Sequence, residues 1–406
     1  MIPANASGPE DFKEAKLPRR DWILLPLLSL LTICFIAGST ELSARWMFRS
    51  SKTSYLNCFI TNDPKVGVRG IPNSICLDKF PEGKLEEYRL NSCGHRAGME
   101  CAPKPPGTYR IVMVGSSIAM GLGVSADESF AFRLPAKLSQ RDGRRIELYN
   151  EGVIANGGTP HSLAARFDEV LAAKPDLILW ILSPLDIRRS VTVAPIADDT
   201  GASRSLNLAT RGWQRIKSSF ATKLFEVKLP AFFARTQTAF LLQHFLYESQ
   251  SQYVKSALMR DNDELGFLRV EQSTSWKKRM RLLNSDTTDI EAFARTAGVP
   301  LVVVLVPDRA PAAMISMGEW PAGYDPYKLD NELRSIIVSH GGIYLDILPS
   351  FRTIPNPEQY YFPVDGHPNA GGHAIIADLL AKALTNGSVP ALRAASPTQP
   401  DHEKGN

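Results

Sequence analysis

Tyr109-Arg110-Ile111-Val112-Met113-Val114-Gly115-Ser116-Ser117 is a short apolar run that ends in glycine and passes into a polar turn. A run apolar on consecutive positions suits a strand buried on both faces, which is the signature of a parallel sheet covered by helices. Further runs of this kind occupy 146–150, 176–183, 300–306 and 343–346. Helical spacing fills the intervals at 130–140, 159–173, 287–297 and 328–339, and a last helix is expected from about 369 to 385. That helix has Pro368 near its first turn, an apolar face of Ile375, Ile376, Leu379, Leu380 and Leu384, and Asn386-Gly387 as a stop. Alternating strands and helices predict a parallel sheet with helices on both faces.

The alternation is interrupted at about 187–286 by helical spacing with few strand-like runs, as in Phe240, Leu241, Phe245, Val254 and Leu258. A helical insertion is expected there. Its aromatics Trp213, Phe220, Phe232, Phe233 and Trp276 either line a substrate groove or form a small core, and the core assignment is the better supported. The chain therefore divides into a cytoplasmic N-terminus over 1–21, an anchor over 22–40, a Cys-containing segment over 41–108, the α/β domain over 109–387 and a disordered tail over 388–406.

The anchor is an uncharged run from Trp22 to Thr40, about the length that spans a bilayer. Lys13, Lys16, Arg19 and Arg20 precede it, so the positive-inside rule puts the main domain outside, periplasmic or extracellular. A cleaved signal peptide is the competing assignment, because Ala37-Gly38-Ser39 is a tolerable cleavage site. Of the five cysteines, Cys58, Cys76, Cys93 and Cys101 fall outside the apolar run. An oxidising compartment favours disulfides over a zinc site built from Cys76, Cys93, His95 and Cys101, and the pairing stays open.

With 406 residues, 44% hydrophobic and 22% charged, the chain is globular and long enough for two to three structural units. Its net charge of +4 is too mild to imply a nucleic-acid partner, and the oligomeric state stays open.

A serine in the turn after the first strand would lie at the strand's carboxyl end, where amide hydrogens can face developing negative charge. On its own Gly115-Ser116-Ser117 is an ordinary tight turn with a helix cap. The second signal is Phe362-Pro363-Val364-Asp365-Gly366-His367-Pro368-Asn369, directly before the last helix. A loop carrying Asp and His two residues apart can present an imidazole to the sheet edge while the carboxylate orients the ring. Of seven histidines only His367 has an acid so placed, and serine and histidine together are far less ordinary than either alone.

At these two blocks the sequence resembles the SGNH hydrolases, also called the GDSL esterase and lipase superfamily. Asn91, Gly94 and Arg96 resemble the short element ahead of the first strand, and Gly115-Ser116-Ser117 matches the Gly-Asp-Ser block with Ser116 replacing Asp. Asn150 to Gly158 resembles the second block, Lys174 to Leu179 leads into the third, and Asp365 and His367 match the last in its Asp-x-His form. The resemblance implies a three-layer α/β/α, flavodoxin-like sandwich, acyl-ester chemistry with Ser117 as nucleophile, His367 as base and Asp365 as its orienting acid, and no metal or organic cofactor. It further implies an oxyanion hole from the amides of Ser117 and Ala155, with Gly152 or Gly157 as alternatives to Ala155. The third block's Asn position is Leu185, which donates no hydrogen bond, so Asn156 is the candidate replacement.

Water resolving an acyl-enzyme gives an esterase; a sugar hydroxyl gives an O-acyltransferase. Export and a tether favour acetyl esters of envelope or secreted carbohydrate as substrate. The loss of the third-block Asn leaves a second reading, a tethered, non-catalytic glycan-binding or assembly protein. A dinucleotide-binding oxidoreductase is set aside because the turn lacks the GxGxxG fingerprint.

Overall fold

The structure is a computed structural model that describes residues 18, 20–50, 53–189, 236–259 and 263–392. Five strands make its central parallel sheet: β5 (Tyr109–Gly115), β6 (Ile146–Asn150), β7 (Leu177–Leu182), β8 (Leu301–Leu305) and β9 (Ile343–Leu345), numbered after four earlier strands described below. They lie in the order β6-β5-β7-β8-β9, all pairs parallel. Counted within the sheet this is the order 2-1-3-4-5, the flavodoxin-like arrangement whose crevice opens between the first and third strands.

The strands carry apolar residues on both faces because both faces are covered. One face buries Val112, Val114, Trp180 and Val303 under the helix Thr274–Thr296, whose Trp276, Leu283 and Ile290 are fully buried. The other buries Ile111, Met113, Ile181 and Val304 under the helices Phe130–Asp142 and Ala370–Thr385. The three-layer α/β/α expectation is met by this arrangement.

The helix expected over 287–297 begins at Thr274, where the Ser273 hydroxyl accepts from Trp276 N. Trp276 is a core residue with no exposure, whereas Trp213, Phe220, Phe232 and Phe233 lie outside the described residues. The helix expected over 159–173 is two short helices, Pro160–Ala165 and Phe167–Ala172, broken at Arg166. Its guanidinium is committed to buried Glu151, at 2.8 Å from the carboxylate and 3.0 Å from the carbonyl.

The Cys-containing segment folds into two antiparallel hairpins: β1 (Phe59–Asp63) with β2 (Gly67–Gly70), and β3 (Ile75–Lys79) with β4 (Leu85–Arg89). Disulfides join Cys58 to Cys76 and Cys93 to Cys101. The hairpins pack over Met120, Leu122, Val153 and Ile154, beside the turn that follows β5. N-terminal to them, the helix Asp21–Met47 is long and apolar enough to cross a membrane. Its C-terminal end meets the helix Gln237–Glu248, for Glu41 accepts from Gln237 N and Thr238 N, and the Phe48 ring lies 5.0 Å from Phe240. Of the tail expected to be disordered over 388–406, the first residues are ordered instead, with a 3-10 turn at Pro390–Leu392 and with Val389 and Leu392 packed into the core, while 393 onward lies outside the described residues.

Candidate active site

Gly115 ends β5 at φ +148, and a Cβ there would lie 2.4 Å from the Ile181 carbonyl oxygen, so no other residue fits. The chain turns sharply and places Ser117, 4% exposed, at the start of the short helix Ser117–Met120. Ser117 Oγ stands 2.8 Å from His367 Nε2. On the other side of that ring, Asp365 Oδ1 lies 2.6 Å from Nδ1 and accepts the His367 backbone N–H at 3.1 Å. Two residues separated by 250 positions in sequence thus meet at the carboxyl edge of the sheet.

This spacing is within the reach needed for proton transfer between hydroxyl and imidazole. Burial acts to lower the His367 pKa, but the Asp365 charge and hydrogen bond outweigh it and hold the imidazole above its ordinary value. Burial acts to raise Asp365, and the same interaction with His367 overrides it, leaving the carboxyl below its ordinary range. The two shifts run in opposite senses, so a proton shared between them is favoured on the ring over the carboxylate.

The loop 151–158 is pressed against the turn that carries Ser117. A Cβ on Gly158 would fall 2.3 Å from Ser116 Cα, and one on Gly152 would fall 2.5 Å from Met120 N. Asn150 Nδ2 donates to Ala119 O at 3.0 Å, tying the end of β6 to the same turn. Ala155 begins the turn Ala155–Gly158 with φ 51, a left-handed conformation that is uncommon for alanine. Asn156 lies towards the β1–β2 hairpin, its Cβ 3.6 Å from where a Gly67 Cβ would stand.

In the third block, Leu185 is partly buried in the helix Pro184–Arg189, and Asp186 is buried beside Ser116. Its carboxylate accepts from Ser183 N at 2.8 Å and Ser183 Oγ at 2.9 Å, and from the Ser116 hydroxyl. Burial pushes its acid up, with those hydrogen bonds pulling the other way. Ser116 is thus held by an acid from the neighbouring strand's end.

Sequence reasoning missed three charged residues at the site. Asp308 follows β8, where burial raises its carboxyl to about 6 while Arg188 pulls it down and Asp186 adds to the rise. Glu82, at the tip of the β3–β4 hairpin, accepts from Val364 N and Asp365 N, each at 3.0 Å. Arg309 Nη1 donates to Pro363 O at 2.8 Å. None belongs to a motif, and each acquires its place through contacts between distant segments. His373, in the first turn of the last helix, is a core residue stacked on Phe130 at 5.4 Å and accepting from its backbone N–H. Among the described residues no cluster of His, Cys, Asp and Glu has metal-ligand spacing.

No family model and no curated protein matches this chain. Among solved structures it is similar to TesA, with 12% identity and a TM-score of 0.36 over 70% of this chain and 99% of the other. The psychrotrophic esterase EstA from a Pseudoalteromonas species matches at 11% identity and a TM-score of 0.35, covering 68% and 97% of the two chains. A lipase/acylhydrolase from Enterococcus faecalis matches at 12% identity and a TM-score of 0.33, covering 68% and 95%. The sheet has the flavodoxin-like strand order, with the serine after its first strand and the Asp-x-His loop before the last helix brought together at its carboxyl edge. The fold is a three-layer α/β/α sandwich of flavodoxin-like strand order.

Proposed function

We propose that the protein is an exported, membrane-tethered serine esterase that cleaves acyl esters, chiefly acetyl, on envelope or secreted carbohydrate. The observation that carries the chemistry is the relay Ser117 Oγ to His367 Nε2 at 2.8 Å and Nδ1 to Asp365 Oδ1 at 2.6 Å. In this scheme His367 takes the Ser117 proton as Oγ bonds to the ester carbonyl carbon. The resulting oxyanion is met by the amides of Ser117 and Ala155, whereas Asn156, expected as a further donor, lies towards the β1–β2 hairpin. As the tetrahedral adduct collapses, the C–O bond to the alcohol breaks and His367 returns the proton to the departing oxygen. Water, deprotonated by His367, then attacks the acyl-Ser117 ester, releasing the acid and restoring the serine.

Asp365 holds the ring so that Nε2 faces Ser117, and its charge stabilises the imidazolium formed in both steps. The tether is the helix Asp21–Met47, and it is the feature that points to an envelope substrate.

The test is acetate release by the full chain in detergent from p-nitrophenyl acetate and from an acetylated polysaccharide, beside Ser117→Ala and His367→Ala. Release lost in both variants supports the esterase. Release absent until a carbohydrate acceptor is added, with the acyl group recovered on it, assigns an O-acyltransferase instead. Carbohydrate binding without any turnover assigns a binding protein.

A further inference from the structure

The catalytic loop 362–367 is held by two buried charges of opposite sign that come from elsewhere in the fold. Glu82, whose side chain is 1% exposed, sits on the tip of the β3–β4 hairpin, 282 residues before the amide it binds. Both its oxygens accept from Val364 N at 3.0 Å, Oε2 also accepts from Asp365 N at 3.0 Å, and Oε1 meets His244 Nδ1 at 2.7 Å. Arg309 binds the same loop through Pro363 O at 2.8 Å and reaches the Tyr247 carbonyl with its other nitrogen. His244 and Tyr247 both belong to the helix Gln237–Glu248, so the two clamps share one abutment.

A carboxylate removed from water is costly unless its lone pairs are taken by donors. Here the donors are backbone amides of the catalytic acid and its neighbour, so satisfying Glu82 and fixing the Asp365 backbone are one event. Asp365 in turn aims Nδ1 of His367, and a displacement of about 1 Å at such a group costs on the order of a hundredfold in rate. The same hairpin tip supplies Phe80, whose ring packs 6.3 Å from Phe362 and 6.4 Å from His367. His244 is itself held in place, its ring 5.0 Å from Phe48 at the end of the apolar helix.

We propose that Glu82 is a positioning residue for the catalytic loop, setting the Asp365–His367 geometry from the hairpin side; this rests on the triad function proposed above. Glutamine is the informative substitution. Its carbonyl oxygen can occupy the Oε2 position and accept from both amides, while its NH2 faces His244 Nδ1, so the clamp survives without the charge. Alanine removes the clamp. Aspartate keeps the charge but is one methylene too short to reach the amides.

The experiment measures kcat and KM of the full chain on p-nitrophenyl acetate for wild type, Glu82→Gln, Glu82→Ala and Glu82→Asp, with the thermal midpoint of each. The expected result is a fall in kcat of about 10- to 100-fold in Glu82→Ala and Glu82→Asp, KM within about twofold, and recovery to within about threefold of wild type in Glu82→Gln. Folded Ala or Asp variants with wild-type kcat overturn the proposal, as does an effect confined to KM, or a Gln variant as impaired as Ala. If neither the Ala nor the Asp variant folds, Glu82 is a stability residue and the proposal is likewise overturned. A wild type no more active than Ser117→Ala refutes the esterase function, and this inference with it; activity that ignores Glu82 refutes the inference alone.

Discussion

Removing the Asp365 carboxylate has an effect whose size follows from how it is bonded. Both the ring Nδ1, at 2.6 Å, and the backbone N–H of His367, at 3.1 Å, are directed at the same oxygen, Oδ1. Asp365→Ala takes away the ring's orientation and the charge that stabilises the imidazolium. Loss of a triad acid costs about 10⁴-fold in kcat, which is about 5.4 kcal/mol at 1.36 kcal/mol per decade. Asp365→Asn is milder here, because an amide oxygen at the Oδ1 position still accepts from both donors and preserves the tautomer. What it loses is the charged half of a charge-assisted bond, worth about 2–3 kcal/mol, or a loss of roughly a hundredfold. The pH profile moves as well. His367 must be neutral to act as base, and its pKa stands above the ordinary value because Asp365 outweighs the lowering effect of burial. Wild-type kcat/KM therefore rises with pH through a value above about 6.5. Without the carboxylate, burial and Arg189 both lower the pKa and only Asp308 opposes them, so the rising limb shifts to lower pH while the plateau falls. The assay is p-nitrophenyl acetate hydrolysis from pH 5 to 9. An Asp365→Ala variant within about tenfold of wild type, or a limb that moves to higher pH, refutes the reasoning.

Two further outcomes concern the support of the site. Arg166→Met leaves Glu151 buried without its partner at 2.8 Å, and should destabilise the fold by about 3–5 kcal/mol in chemical denaturation; a loss below about 1 kcal/mol contradicts a buried pair. Gly158→Ala drives a methyl group to 2.3 Å from Ser116 Cα, so the nucleophile turn must shift and esterase activity should fall at least about tenfold, read as kcat at matched folded fraction.

The sheet was legible because its strands are apolar on both faces and end in glycine or a polar turn, and β5 and β6 coincide with the stretches read from sequence. The hairpins were not. In β3 and β4 the inward positions carry Asp78 and Glu86, which face each other across the ladder and are both buried, so the period-two pattern of hydrophobicity is broken where it would identify a strand. The helix Thr274–Thr296 hid its first half behind Lys277, Lys278, Arg279 and Arg281, although Trp276, Met280, Leu283, Thr287 and Ile290 form one buried stripe. Ser117, Asp365 and His367 could be read locally because each sits in a short block whose spacing implies a role. Glu82, Asp308 and Arg309 could not, since a lone charged residue in a loop acquires meaning only from the distant amide, carboxylate or carbonyl that the fold brings to it.

The central claim is that Ser117 is a nucleophile activated by His367. It is tested most directly by treating the full chain with a fluorophosphonate, which phosphonylates an activated serine, and mapping the adduct by peptide mass spectrometry. The account predicts one adduct on Ser117, absent in Ser117→Ala and formed far more slowly in His367→Ala. An unlabelled Ser117, or labelling that is indifferent to His367, contradicts it.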